Sequence, residues 1–314
     1  MTELLITGAT GFVGSHVVET LASRGERARA LVRESSDTSL LERHGFETVV
    51  GSLSDEASLR RAVDGADAVL HLAAATRALD EATFHRVNAQ GTANLVAAME
   101  ATGGRGRLVY LSSMAAVGPA RDRPVRPDDE PRPLTAYGRS KLAGERAVRD
   151  TTREAAVIRA PAVYGPGDRD LLIFFRLARL GVLPAVGPTD RRVQMIHAAD
   201  LAGALLAGVG ARASGVYHVA EPRAYAWAEV LERVGEAVGR GGVRIPVPAA
   251  IVKVAAAISE GVSRVTGRPV IFDRDKAKEL LAEWVCETDR ARDELGFEAS
   301  IPLDRGLRDT VAWY

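Results

Sequence analysis

Eight residues near the start of the chain, Thr7-Gly8-Ala9-Thr10-Gly11-Phe12-Val13-Gly14, restrict the fold more than any other feature. They set glycines at G-x-x-G-x-x-G between an apolar run, Leu4–Thr7, and a helix-like segment, Phe12–Arg24. In a βα turn of this kind Gly8 makes the sharp reversal. Gly11 lets the backbone approach a pyrophosphate at the helix N-terminus, and Gly14 permits close helix–sheet packing. The spacing alone is a weak signal, because in a chain with 30 glycines a chance match is expected about 0.3 times. Its place directly after the first strand of a βαβ rhythm makes it specific.

That rhythm runs through the first ~165 residues. Short apolar runs at Leu4–Thr7, Ala28–Val32, Thr48–Gly51, Ala68–Leu72, Leu108–Ser112 and Ala156–Arg159 alternate with helix-length segments at Phe12–Arg24, Glu56–Val63, Ala89–Ala101 and Ala136–Asp150. Such alternation predicts right-handed crossovers and a parallel sheet covered on both faces. The rhythm breaks after Tyr164 at Gly165-Pro166-Gly167. A helix near Leu171–Leu180, a Gly/Pro-rich loop, and then mostly helix with one Pro-rich strand (Val243–Pro248) follow. The expected fold is α/β: a Rossmann-like doubly wound parallel sheet with a smaller, mostly helical C-terminal substrate domain. The expected division is a dinucleotide-binding domain over 1–165, to which 194–220 return, and a substrate domain over 166–193 and 221–314.

Composition excludes several classes. The 41 Lys+Arg balance 41 Asp+Glu, so a neutral chain lacks the basic footprint of a nucleic-acid binder. The 46% hydrophobic content is too high for disorder. A single cysteine, Cys286, forbids an internal disulfide, fits a reducing compartment such as the cytoplasm, and reads as a packed thiol. No charged leader precedes Glu3, and no stretch is apolar enough for an integral membrane span. The most lipid-like stretch, Ala249–Val262, is interrupted by Lys253 and Glu260 and reads as an amphipathic helix. The six histidines show no metal-ligand spacing, so no metal site is expected, and His197 reads as structural.

Chemistry enters with Tyr137-Gly138-Arg139-Ser140-Lys141. Tyr and Lys four apart share one face of a helix, about 5–6 Å apart at Cβ. With six Tyr and four Lys, a chance Y-x-x-x-K is expected only ~0.08 times. A Lys beside a phenol is expected to lower its pKa, so that Tyr137 exchanges a proton with an alcohol or ketone as hydride moves to or from nicotinamide. Ser112 and Ser113 end the fifth strand, where ligands of open α/β sheets bind. At the end of the second strand, Arg33 stands where an NAD site would carry an acid for the ribose. A guanidinium there pairs a 2′-phosphate, which points to NADP(H) over NAD(H).

TGATGFVG, LSSMAAVG and YGRSK together resemble the extended short-chain dehydrogenase/reductases, the NAD(P)-dependent epimerase/dehydratase-like group. Further matches are His71-Leu72-Ala73-Ala74, Val87-Asn88-Ala89, Arg159 to Asp168, and Ile196 to Ala202, so the resemblance spans nearly the whole chain. It implies Tyr137 as acid/base, Lys141 as its partner and Ser113, five residues before Gly118, as the third catalytic member. Gly8, Thr10, Gly11, Phe12 and Val13 would cradle the pyrophosphate. Leu72, Ala73 and Ala74 would line the adenosine side, and Asn88 would join the nicotinamide network. Pro161 and Val163 would bracket the nicotinamide. Homodimerisation through the helices near 89–101 and 136–150 is implied likewise.

Departures from the family pattern bear on substrate. Ser52-Leu53 stands where an Asp-Leu pair often binds adenine, and Ala162 where sugar-nucleotide enzymes carry Asn for the diphosphate. Arg191, Arg192 and Gln194 offer polarity without the usual clamp. The sequence is nearer the 3β-hydroxysteroid dehydrogenase and dihydroflavonol reductase branch, in which apolar residues of Ala249–Val262 would line a lipophilic pocket. The expected activity is NADP(H)-dependent interconversion of a carbonyl and an alcohol on an uncharged, moderately apolar small molecule. The alternative is a nucleotide-sugar epimerase or dehydratase with tightly bound NAD. A cofactor-sensing binding protein is disfavoured, since it has no use for the acid/base pair.

Overall fold

In the computed structural model, which describes residues 3–103, 106–211, 214–268, 270 and 272–314, seven parallel strands form one sheet. They are β1 (Leu4–Thr7), β2 (Arg29–Val32), β3 (Glu47–Val50), β4 (Ala68–His71), β5 (Arg107–Ser113), β6 (Ala155–Ala160) and β7 (Gly215–His218). Their order is β7-β6-β5-β4-β1-β2-β3. The fold is Rossmann-like, with the strand order reversing between β1 and β4. Met1 and Thr2, on which the expectation of no leader rests, lie outside the described residues.

Alternation within each strand decides what covers the sheet. Ile6, Leu70, Val109 and Ile158 face one side, where they pack on Val17, Val18 and Leu21 of helix Phe12–Ser23 and on Leu201 and Leu205 of helix Ala198–Gly210. Leu5, Val69, Tyr110 and Val157 face the other side. There they meet Leu59 of Glu56–Val63, Leu95 and Met99 of Gly91–Ala101, and Val148 of Ala136–Arg149. Each buried Leu or Val of these layers stabilises by about 1.5–3 kcal/mol. A second core, with Phe175, Leu183, Trp227, Leu231, Leu303 and Leu307, holds the C-terminal elements together.

Most expected elements lie within a residue or two of the observed bounds. The segment expected as one helix from Ala89 instead contains a π-helical turn, His85–Gln90, before Gly91–Ala101. The Gly/Pro-rich loop after Leu180 contains an unexpected strand, Val182–Val186. It pairs in parallel with Val243–Val247 in a two-stranded sheet, where Pro184 and Pro246 are tolerated because each strand has a free edge.

The lipid-like stretch is an 18-residue helix, Ala249–Thr266, closed by Gly267 at φ +64°. Most of its large apolar residues stand exposed rather than enclosed. The buried positions are Val252, Ala256 and Ser263, while Ile251, Val254, Ile258, Val262 and Val265 point outward. No helix among the described residues is long and apolar enough to cross a membrane.

Candidate active site at the strand ends

Because the sheet is parallel, the C-terminal ends of β1 to β6 lie along one edge. Most candidate site residues sit at or just beyond one of these ends or on the helix that follows β5, and Asn88 sits on the π-helical turn His85–Gln90. The order reversal between β1 and β4 opens a crevice there.

The glycine turn has the expected form. Gly8 takes φ +78°, and a Cβ on it would lie 2.6 Å from the Ala73 nitrogen. A Cβ on Gly14 would lie 2.2 Å from the Gly8 carbonyl oxygen, so the helix is seated directly on the turn. Thr10 and Gly11 are exposed, and Phe12 and Val13 are half-buried. No side chain caps the N-terminus at Gly11, which leaves first-turn amides for an anion. Gly11 and its neighbours therefore form a cradle that fits a dinucleotide pyrophosphate.

At the β2 end, Arg33 is exposed and its guanidinium has no ion-pair partner among the described residues. Its backbone closes a turn with Ser36. Beyond β3, Ser52 and Leu53 are half-buried. Leu53 packs against Gly91, and its carbonyl accepts from Asn94 Nδ2 at 2.8 Å. Beyond β4, Leu72 turns into the core, while Ala73 and Ala74 stand half-buried at the lip.

A relay of hydrogen bonds fixes this floor. Thr92 Oγ1 donates to the Asn88 carbonyl at 2.7 Å, so it accepts from His71 Nε2 at 3.0 Å. His71 Nδ1 then accepts from Thr7 Oγ1 at 2.6 Å, and Thr7 Oγ1 accepts from the Ala73 amide at 3.3 Å. Burial, assisted by Lys141, pulls the His71 pKa down to about 3, which keeps the ring neutral as the relay requires. Asn88 spends its whole amide on position. Oδ1 accepts from the Ala75 nitrogen at 2.7 Å, and Nδ2 donates to the Ala75 carbonyl and to Ser140 Oγ, both at 2.9 Å. Ser140 Oγ in turn donates to the Tyr137 carbonyl at 2.7 Å.

Thr135 caps the helix that carries Tyr137 and Lys141, accepting from the Gly138 amide at 3.0 Å. Tyr137 is half-buried, edge-on to Phe84 with centroids 5.9 Å apart. Its phenol differs from the sequence expectation. Burial pushes its pKa above the ordinary value, Glu279 adds to the rise, and the Ser113 hydroxyl opposes it. Lys141, one helical turn on, has polar partners of its own. Nζ donates to the Leu111 carbonyl at 2.6 Å and lies 4.2 Å over the Tyr110 ring. Burial pulls the Lys141 pKa down to about 7, against an upward pull from Glu145.

The two serines divide the work. Ser112 Oγ donates to Glu145 Oε1 at 2.6 Å, inside the protein. Ser113 is half-buried beside Tyr137, with its Oγ accepting from the Ala115 amide at 3.1 Å. Pro161 and Val163 are half-buried beyond β6; Val163 lies on a strand, Ala162–Tyr164, that pairs with Met195–His197, and Pro161 immediately precedes it. Ala162 is exposed.

The polar candidates for a diphosphate clamp are turned to structural use. Arg191 is buried over the Trp227 ring and donates to the Val186 and Pro188 carbonyls. Arg192 pairs with Glu283 at 2.7 Å. Gln194 is buried, donating to the Glu221 carbonyl and accepting from the Cys286 amide. Cys286 is itself buried, its thiol pushed up to about 12. His197 caps helix Ala198–Gly210 by accepting from the Ala199 amide.

Several residues escaped the sequence reading. Glu145 and Arg159 form a buried bidentate ion pair, 2.8 and 2.7 Å, beneath Ser112. Arg77, beyond β4, pairs with Asp170, beyond β6. Asp275 and Glu279, on helix Arg274–Leu281, bond the Ala136 amide and the Thr135 hydroxyl at 2.8 and 3.0 Å. Long-range contacts of this kind leave no local pattern. The Thr135 cap, just before a helical run, was readable in principle.

The profile of the NAD dependent epimerase/dehydratase family matches residues 4–220. A ceramide reductase of Caulobacter vibrioides is 34% identical over 313 residues, covering 98% of this chain and 93% of the relative. A dTDP-4-dehydrorhamnose reductase of Mycolicibacterium smegmatis is 32% identical over 250 residues, covering 77% of this chain and 71% of that one. Among solved structures, MoeE5 in complex with UDP-glucuronic acid and NAD superposes with a TM-score of 0.75 and 25% identity, over 99% of this chain and 98% of that one.

Proposed function

The chain belongs to the NAD-dependent epimerase/dehydratase family, and within it we propose an NADP(H)-dependent oxidoreductase that interconverts a carbonyl and an alcohol on an uncharged, moderately apolar small molecule. The observation that carries the substrate class is the structural use of these side chains: Arg191 and Gln194 are buried, and the exposed Arg192 is paired with Glu283. With Ala162 as the neighbouring exposed residue, no unpaired cation among these residues offers a diphosphate a clamp, and a missing polar group cannot select for one. Likeness to a ceramide reductase over nearly the full chain supports a carbonyl borne on a lipid-like body.

When bound, the nicotinamide supplies or takes up the hydride. The first-turn amides at Gly11–Val13 would hold the pyrophosphate, Arg33 the 2′-phosphate and Lys141 the nicotinamide ribose. Ser113 Oγ and Tyr137 Oη would both bond the substrate oxygen. In the reductive direction Tyr137 Oη gives its proton to that oxygen, and a phenol held protonated by burial suits that role. Asn88 and Ser140 hold the tyrosine's helical turn in place.

The test is NADPH oxidation against long-chain ketones, aldehydes and dTDP- or UDP-linked keto sugars. Turnover of apolar ketones, reduced about 10²–10⁴-fold by Tyr137→Phe with NADPH affinity within a few-fold, supports the assignment. Full turnover by Tyr137→Phe would sink it. The nucleotide-sugar relatives support a second reading, an epimerase or dehydratase that recycles its cofactor. Purified protein carrying tightly retained NAD+ would favour that reading.

A further inference from the structure

We propose that the outer face of helix Ala249–Thr266 docks on an anionic lipid bilayer surface. The five large apolar residues Ile251, Val254, Ile258, Val262 and Val265 are spaced three, four, four and three apart. That spacing aligns them in one stripe on the helix, about 21 Å long at 1.5 Å per residue. Each is between 52% and 89% exposed. The opposite side is the one that packs, with Val252 and Ala256 against Val186, Ala277 and Phe272. The helix thus buries only Val252, Ala256 and Ser263 and presents most of its large apolar residues outward, unlike an ordinary surface helix.

Charge says what the stripe meets. The chain is neutral overall, yet residues 240–268 hold Arg240, Arg244, Lys253, Arg264 and Arg268 against one acid, Glu260, a sum of +4 along this segment, of which Arg244 is paired with Glu232. Glu260 is itself shared between Arg264 and Arg274. Lys253 and Arg268 have no carboxylate partner among the described residues. Apolar side chains along one face with cations beside them fit the boundary between acyl chains and anionic headgroups. A second copy of the chain would instead bring the same cations against one another. The helix cannot cross a membrane, so the contact lies in the interface plane. None of the stripe residues belongs to the strand-end site, and the docking does not depend on which carbonyl that site reduces.

The experiment is co-sedimentation of the full chain with vesicles of phosphatidylcholine, with and without 30 mol% phosphatidylglycerol (about a third anionic, as in a strongly charged leaflet). Thermal unfolding of each variant controls for folding. Expected is binding to the anionic vesicles that weakens with salt. It should fall at least about fivefold in Val254→Glu/Ile258→Glu, and to a lesser degree in Lys253→Glu, at unchanged melting temperature. Three results would overturn the proposal: no binding to anionic vesicles, equal binding to neutral ones, or retained binding by Val254→Glu/Ile258→Glu. Failure to bind vesicles together with a wild-type dimer that the double variant dissociates would assign the face to a second copy instead.

Discussion

The Lys141 ammonium lies 4.2 Å above the ring of Tyr110 on β5, one helical turn on from the candidate acid/base. The ring face and the Leu111 carbonyl are its compensation for burial, and they do not fully replace water. Its pKa falls to about 7 from 10.5. Between those values the folded protein binds fewer protons than the unfolded chain. Unfolding then takes up a proton, and stability rises with pH, by at most about 1.4 kcal/mol per unit. Lys141→Met should remove that slope and lower turnover by about 10²-fold or more. Denaturant unfolding at pH 7, 8 and 9 for both proteins checks it. Parallel slopes in the two would contradict the assignment.

Arg33 tests the cofactor. An unpaired, exposed guanidinium at the end of β2 has no structural duty that its loss would disturb. Arg33→Ala should therefore leave the melting temperature unchanged and weaken NADPH by about tenfold to hundredfold, with NADH altered little. Fluorescence titration of both nucleotides reads the ratio. An unchanged ratio would remove the basis for NADP(H) preference.

The buried Glu145–Arg159 pair is the most exacting structural contact beneath the site. Burial pushes the Glu145 carboxyl up, but Arg159 and Ser112 together outweigh it and hold the pKa below its ordinary value. A carboxylate with a depressed folded pKa stabilises above its unfolded pKa, and that stability is lost as pH falls through the folded value. Glu145→Gln leaves the Arg159 charge buried without compensation, at a cost of about 3–5 kcal/mol. Urea unfolding at pH 7 measures it. Glu145→Leu/Arg159→Met should recover most of the loss, because no charge is then stranded.

These cases separate what the sequence carries from what it does not. The glycine turn, the strand rhythm and the Y-x-x-x-K pair are local patterns, set by steric limits and by helical period, and the structure has each where the spacing puts it. Arg33 was readable for the same reason, as the residue one step past a strand. The chemistry around Tyr137 was not. Spacing places Lys141 on its face of the helix, but burial and the Leu111 carbonyl, on another strand, decide what that lysine does. The edge strand Val182–Val186 was hidden because its prolines read as loop until a partner strand supplied the pairing. Which face of Ala249–Thr266 packs was hidden too, since a helix with apolar residues on two sides can bury either.

Glu279 illustrates the same limit in a testable way. It reaches the Tyr137 helix from helix Arg274–Leu281, where Oε1 accepts from Thr135 Oγ1 at 3.0 Å while Asp275 accepts from the Ala136 amide. Two acids at a helix N-terminus favour the helix by about 0.3–1 kcal/mol each. Glu279 also acts on the phenol, helping burial to raise the Tyr137 pKa. Glu279→Gln keeps an oxygen for Thr135 and removes the charge. The phenolate is then easier to form, so the alkaline limb of kcat/KM for carbonyl reduction moves to lower pH, where the proton to be donated is lost sooner. The melting temperature should fall by no more than a few degrees, as the loss of about 1 kcal/mol would cause. Glu279→Ala should give the same shift in the limb with a larger loss of stability. A purely structural Glu279 would instead lower stability in both variants and leave the limb where it was.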